Sequence, residues 1–486
     1  MLQLFEPHTS KAYSTVSPKG KIDLGQYMTP APIATFMASL FPKNFGEFHL
    51  LDAGAGEGSL TCALLKALSQ TNSTFPHGEV SLVEYDVDMV QKLEKNISKA
   101  VEGLPVKTYI YHTDFIKYAS ALVLHKQRIF THAILNPPYK KISSQSNHRA
   151  MLRDVGIETV NLYTAFVALS LALLRPGGIL VAIIPRSFCN GPYYRPFRQY
   201  ILHHAAIRRL HLFTSRTEVF KADKVLQENV ILVLERDSKQ TAVNISMSKN
   251  DKMDEYREAQ YPFEEIVRPD DPELFINIPD SQKEKISLSG VKYSLDSLGI
   301  EVSTGPVVDF RLKEYLRAMP LPNDAPLLYP GHFNGKTEWP RANFKKPNAM
   351  ARCPETMKWL YPNGDYVIVR RLSSKEEKRR VVAYHVQPKD FPGQSYLGFE
   401  NHLNVFHHRK QGLSPELACG LALYLNSDFV DVLFRRFNGH TQVNATDLRS
   451  LPYPSTNMLE ELGRWANRQT ELTQERIEQH IKAVLA

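Results

Sequence analysis

His49-Leu50-Leu51-Asp52-Ala53-Gly54-Ala55-Gly56-Glu57-Gly58 joins an apolar run to three alternate glycines, and a helix-forming segment, Leu60–Leu68, follows at once. A strand that ends in glycines and feeds a helix lets a ligand approach the backbone, because no Cβ stands in the way. The same alternation continues to about residue 236. Strands are read at His49–Ala53, Glu79–Glu84, Thr108–His112, Phe130–Leu135, Ile179–Ile184, Arg209–Phe213 and Asn229–Leu234. The clearest helices between them are Leu60–Leu68, Asp88–Ala100 and Leu162–Leu174, the last stopped by Arg175-Pro176-Gly177-Gly178. Successive βα units predict a Rossmann-like α/β fold with a mainly parallel sheet. The final two apolar runs, separated by a longer irregular stretch, fit an antiparallel edge hairpin.

The glycine turn alone is shared with dinucleotide enzymes. Glu84, at the end of the second strand and about 30 residues on, suits the ribose hydroxyls of any nucleoside cofactor, so an NAD enzyme stays open at this point. The third strand ends in His112-Thr113-Asp114-Phe115. Asp114 is placed to accept a bond from an adenine amino group, with Phe115 packed on the ring; the bland reading is an aspartate capping the next helix. Its position between Glu84 and the next motif favours the first.

That motif is Asn136-Pro137-Pro138-Tyr139, directly after the apolar run Phe130–Leu135. An exocyclic amino or amide nitrogen attacks poorly because its lone pair is delocalised into the neighbouring π-system. An asparagine oxygen together with a Pro-Pro carbonyl can accept both N–H bonds and draw that lone pair out of conjugation. Two prolines fix φ and lack donors, so these carbonyls are held rigidly. Tyr139 offers a flat face for stacking. The sulfonium of S-adenosyl-L-methionine is an activated methyl donor, so positioning and polarisation suffice for methyl transfer without a metal.

The chain has 486 residues, 43% of them hydrophobic, enough for two or three domains. Its four cysteines, Cys62, Cys189, Cys353 and Cys419, show no Cys-x-x-Cys spacing, which argues against a zinc site or a disulfide framework. No apolar run approaches membrane-spanning length, and the N-terminus lacks a signal-like pattern, so a cytoplasmic protein without membrane contact is expected. The net charge of +8 is unevenly spread. Residues 241–301 hold 7 basic and 13 acidic side chains, whereas 302–450 hold 21 and 14. Two basic regions around an acidic segment fit a polyanionic partner. Beyond residue 240 the periodicity weakens, and Gln240 to Ser289 reads as an acidic, loop-rich connection. Pro415–Leu425 and Asp428–Phe437 read as helices, and Leu459–Leu485 as a largely helical tail.

With these motifs in place the chain resembles the TaqI-like gamma class of DNA adenine-N6 methyltransferases of bacterial type II restriction-modification systems. The likeness begins at Gly25-Gln26-Tyr27-Met28-Thr29-Pro30. It runs through Leu51–Gly58, Glu84, Asp114-Phe115 and Asn136–Tyr139, then Asn161-Leu162-Tyr163-Thr164-Ala165-Phe166, Leu174–Gly178 and Val219-Phe220. The resemblance implies a catalytic domain over 1–240, an acidic linker over 241–301, a target-recognition domain over 302–456 and a helical tail over 457–486. It implies a donor site built from Thr29, Pro30, Asp52, Gly54, Gly56, Glu57, Glu84, Asp114 and Phe115. The catalytic set would be Asn136, Pro137, Pro138 and Tyr139, with Phe220 against the other face of an adenine flipped out of double-stranded DNA. It also implies a monomer and a cognate restriction endonuclease acting as a separate protein.

For DNA contact, Lys140 and Lys141 follow the tetrapeptide, and Arg370, Arg371, Arg409 and Lys410 lie in the basic second half. The stretch Phe437–Leu448 resembles a recurrent C-terminal segment of these enzymes; its Gln442 and Asn444 have amides able to read an adenine edge, although such residues also cap helices. Competing readings are an RNA adenine or protein glutamine methyltransferase, a cytosine-N4 acceptor, and a catalytically silent DNA-specificity protein. A nuclease fusion is rejected, because Pro269-Asp270 and Glu376-Glu377-Lys378 lie too far apart in charged loops.

Overall fold

The computed structural model describes residues 29–42, 47–71, 77–215, 228–280, 290–374 and 376–485. Gly25–Met28 and Phe220 lie outside the described residues. The chain forms two compact units that divide between Ser281 and Gln282.

The first unit is built on a 9-stranded sheet. Its first seven strands are β1 (Phe48–Ala53), β2 (Gly78–Glu84), β3 (Val106–His112), β4 (Phe130–Leu135), β5 (Leu174–Pro185), β6 (Ala205–Phe213) and β7 (Asn229–Arg236). These lie where the apolar runs place them, with β5 and β6 starting earlier. β1 to β5 pair in parallel, while β7 is antiparallel to both β5 and β6. Strands buried on both faces read as continuous apolar runs. Period-2 alternation then splits them between two cores. Leu51, Ala53, Ala133, Leu135, Leu180 and Ala182 face one core with the helix Leu162–Leu173. Phe48, Leu50, Ile134, Val181 and Ile183 face the other with Ile33, Leu64 and Leu93.

The expected linker is corrected by two more strands, β8 (Val243–Ser248) and β9 (Arg257–Tyr261), which extend the sheet beyond β6. Val243, Ile245 and Met247 are buried on one face of β8. The neighbouring acidic residues hide this alternation in the sequence. They are partly neutralised in place: Glu258 grips Arg209 through two bonds of 2.7 and 2.8 Å, and Asp280 pairs with Arg257 at 3.1 Å. The β6–β7 pair is therefore internal to the sheet and not an edge hairpin.

The second unit carries a 4-stranded sheet, formed by Glu301–Thr304, Leu403–His407, Tyr366–Arg370 and Ala383–Val386, and a 5-stranded sheet. The expected helical tail is part of this unit. Helices Pro415–Leu425 and Thr456–Ala466 cross with backbones in contact, since a Cβ on Gly420 would lie 1.7 Å from Leu459 O and one on Gly463 1.9 Å from Glu416 O. Among the described residues no single helix is long and apolar enough to cross a membrane.

Candidate functional site

Sheet order decides where the site lies. β1 pairs with β2 on one side and with β4 on the other, so the connections leave β1 in opposite directions and open a crevice at the strand ends. The register pairs Asp52 with Ile134, Ala53 with Val83, and Glu84 with His112. The residues just beyond, Gly54, Asn136, Glu84 and Asp114, therefore end four adjacent parallel strands. They line one cleft of about 600 Å³, walled by Val83, Phe115 and Phe166. That volume and mixture suit a nucleoside-sized ligand.

At the glycine turn, Gly54 and Gly56 have φ of +75° and +56°, and nothing lies within 4 Å of where a Gly56 Cβ would project. The turn is pinned from behind by Gly54 N–H and Ala55 N–H, which both donate to Val83 O. Glu84 is buried; its Oε2 accepts Gly56 N–H at 2.8 Å, and its Oε1 accepts the N–H groups of Tyr85 and Asp86, each at 2.8 Å. Burial pushes this carboxyl up, and those backbone donors hold it back only in part.

Asp52 takes a different place from the expected one. It lies beneath the turn, fully buried, with Oδ2 accepting the Thr61 hydroxyl at 2.6 Å, and it does not line the cleft. Burial, reinforced by the nearby Glu84 charge, raises its carboxyl to about 7. Its Oδ1 has no hydrogen-bond partner among the described residues. Glu57 also turns away, forming an ion pair with Lys92.

Asp114 has two structural roles. It caps the helix Phe115–Leu124 by accepting Lys117 N–H at 2.9 Å, and it lines the cleft. Its Oδ2 lies 3.0 Å from His148 Nε2. Burial alone would raise the Asp114 carboxyl, but the His148 and Lys117 bonds outweigh it and leave it below the usual value; the same bond raises the His148 imidazole. Phe115 packs on Phe166 with ring centroids 4.6 Å apart. His148 carries no sequence signal, because it sits at the start of a short helix, Asn147–Asp154, in a polar stretch without periodicity.

Asn136 is half-buried at the mouth of the crevice. Its Nδ2 donates to Thr29 Oγ1 at 2.9 Å, and its Oδ1 accepts the Tyr139 hydroxyl at 3.2 Å. These two bonds orient the amide. Tyr139 OH also lies 3.4 Å from Ile183 O, and its ring meets Tyr163 edge-on at 6.2 Å. Pro137 is buried, while Pro138 lines the cleft. Pro30 precedes the helix Ala31–Ser39 as its N-cap, which holds Thr29 at the helix start. Lys140 and Lys141 are exposed at the cleft. Leu162 N–H bonds Lys140 O at 2.8 Å and Ile142 N–H bonds Val160 O at 2.8 Å, which ties this loop to the helix carrying Phe166.

In the second unit, Arg370 pairs with Glu377 at 2.7 Å, and the Arg371 guanidinium donates to Asn401 O at 2.7 Å. Arg380 is buried, bonded to Ser373, Asn438 and the His440 carbonyl. Asn438 and the Asn444 N–H both bond the buried Asp447 carboxylate at 3.0 Å. Asn444 therefore acts as the cap of the helix Ala445–Arg449, and this network explains why the Phe437–Leu448 stretch is so polar. Gln442 remains exposed on it. Arg409 and Lys410 occupy a tight turn, with Lys410 Nζ donating to Lys358 O at 3.0 Å.

Comparison with known proteins gives the family. Residues 62–220 match the family model described as Eco57I restriction-modification methylase. The chain is 50% identical over 479 residues to the type II methyltransferase M.BsuBI of Bacillus subtilis, spanning 96% of this chain and 94% of that protein. It is 42% identical over 467 residues to the type II methyltransferase M.PstI of Providencia stuartii, spanning 93% and 91%. In fold it is similar to the type IIL restriction-modification enzyme MmeI solved in complex with DNA, with a TM-score of 0.52 and 12% identity over 90% of this chain and 69% of that one.

Proposed function

The chain belongs to the type II restriction-modification methyltransferases, and on that premise we propose that it moves a methyl group from S-adenosyl-L-methionine to N6 of an adenine flipped out of double-stranded DNA. The observation that carries the reading is the juxtaposition of the glycine turn and Asn136 at the ends of adjacent parallel strands, in one cleft. The residues fit the donor. Gly54 and Gly56 leave room for close backbone approach, Glu84 and Asp114 present carboxylates to hydroxyl and amino groups, and Phe115 and Phe166 supply flat apolar walls. When bound there, the donor supplies an electrophilic methyl carbon.

The protein's own contribution is positional and electrostatic. An adenine amino group is inaccessible while stacked and paired, so the base must leave the duplex. Asn136 Oδ1 and the Pro137 carbonyl would accept its two N–H bonds and return lone-pair density to N6. Thr29 fixes the amide plane from behind, so little reorganisation is needed. Tyr139 would stack on the base. Phe220, in the resemblance the contact on its other face, keeps that role as a proposal. Lys140 and Lys141, exposed at the cleft, would meet a DNA phosphate near the extruded nucleotide. Such an enzyme works beside the chromosome in a bacterial cytoplasm and protects DNA from a cognate endonuclease.

The test is single-molecule sequencing of DNA from cells expressing the protein. N6-methyladenine confined to one sequence motif is expected, and its disappearance in Asn136→Ala. The purified variant should turn over about 10²–10³-fold more slowly while binding the donor within a few-fold of wild type. Methylation found in RNA instead, or undiminished in the variant, would sink the assignment.

A further inference from the structure

We infer that the Arg409-Lys410 turn of the second unit is a finger that grips the phosphate backbone of duplex DNA, an inference that rests on the DNA reading above and assigns it a contact residue. Strand Leu403–His407 ends in a two-residue reversal. His408 N–H bonds Gln411 O at 2.9 Å and Gln411 N–H bonds His408 O at 2.8 Å, with Arg409 and Lys410 between them. Both central residues lie in the left-handed region, at φ of +48° and +65°. Positive φ at both positions is the type I′ pattern, which selects Asn-Gly or Asp-Gly because other L side chains collide with the backbone there. This chain places two long cations at the pair of positions where glycine and asparagine would be unstrained.

The surroundings hold the strained turn in place. His408 Nδ1 lies 2.8 Å from Gly299 O, and Lys410 N–H donates to His407 Nδ1 at 3.2 Å. Lys410 Nζ bonds Lys358 O at 3.0 Å and sits 5.8 Å from the Tyr361 ring centre, while Lys358 Nζ lies 4.4 Å from that of Trp359. Backbone strain that persists under such constraint is a marker of function.

Four other basic clusters of the unit each have at least one cation in an ion pair. Arg370 pairs with Glu377, Arg379 with Asp428, Arg435 with Asp431, and Lys346 with Asp309. Among the described residues, Lys358, Arg409 and Lys410 form no ion pair, and the exposed Arg409 guanidinium has no hydrogen-bond partner. Lys358 and Lys410 lie over aromatic rings that fix them without neutralising them. Two cations without an ion pair among the described residues, Arg409 and Lys410, at a narrow tip suit phosphates, which favours charge over any particular base.

The experiment measures binding of a 30-base-pair duplex of arbitrary sequence to the full-length protein by fluorescence anisotropy, over a series of KCl concentrations. One lost phosphate contact makes the slope of log K against log salt shallower by about 0.9. Arg409→Asn should show that change, with weaker binding at low salt. Its Tm should equal or exceed that of wild type, because asparagine tolerates the left-handed region. Arg409→Lys, equally strained but charged, should keep the wild-type slope. An Arg409→Asn protein with wild-type affinity and slope would overturn the inference while leaving the DNA reading intact. So would one whose slope is unchanged but whose methylation spreads to new sequences, since Arg409 would then be reading bases. A wild-type protein without salt-dependent duplex binding would overturn both.

Discussion

Replacing Asp52 by Asn probes the foundation of the glycine turn. Asp52 is fully buried, accepts one hydroxyl from Thr61, and leaves Oδ1 without a partner among the described residues. Its carboxyl is raised from 3.8 to about 7, chiefly by burial. The folded protein therefore holds this proton to higher pH than the unfolded chain does. Stability from this group is full below pH 4, is lost as pH rises to 7, and is level above. A gap of about three units at about 1.36 kcal/mol each amounts to about 4 kcal/mol. Asparagine keeps the shape and an acceptor for Thr61 but carries no proton to lose. Urea unfolding of both proteins, followed by a probe in the first unit in matched buffers from pH 4.5 to 8, gives the difference between them, in which the contributions of groups not coupled to Asp52 cancel. Wild-type stability should fall relative to Asp52→Asn by most of that amount between pH 4.5 and 7, then run parallel. A difference that stays flat, or that moves in favour of wild type as pH rises, would refute the reasoning.

Two further outcomes follow from the geometry. His148 holds Asp114, and its imidazole is raised by that bond, so its grip is strongest below its own pKa and is lost as pH rises through it. If the donor's adenine uses Asp114, donor affinity by calorimetry should improve by about two- to five-fold from pH 5.5 to 8, a partly exposed pair being modest in strength; His148→Ala should flatten the profile, and an unaltered profile would remove His148 from the site. Gly420→Ala would put a methyl group 1.7 Å from Leu459 O, a backbone atom that cannot rotate away. Forcing the two helices apart should cost at least about 3 kcal/mol and lower the Tm of the second unit in calorimetry; an unshifted transition would contradict the close crossing.

Legibility followed burial. β1, β2, β4 and β5 and the antiparallel β7 lie inside the sheet and are largely buried, so they announce themselves as apolar runs, whereas the edge strand β3 is mostly half-buried; the residues at the strand ends can be placed in one crevice from order alone. β8 was hidden because its alternating Val243, Ile245 and Met247 lie among acidic residues whose charges are partly met by arginines distant in sequence, as Glu258 is by Arg209. Side-chain direction was the other limit. Asp52 and Glu57 belong to the glycine turn by position, yet one points beneath it to Thr61 and the other outward to Lys92. Asn444 suits a base edge or a helix cap by residue type alone, and only the fold shows that it holds the N-cap position of Ala445–Arg449. His148 had no pattern to betray it, because its importance comes from a contact across 34 residues with Asp114.

The Tyr139 hydroxyl stands between two acceptors, 3.2 Å from Asn136 Oδ1 and 3.4 Å from Ile183 O. A vacant amide oxygen would collect water that an arriving base must strip away. A hydroxyl already within reach of an alternative acceptor can yield its place by a small rotation about the C–O bond. Under the proposed function the tyrosine would act as a doorstop, keeping the oxygen aligned between visitors and turning toward Ile183 O when a base arrives.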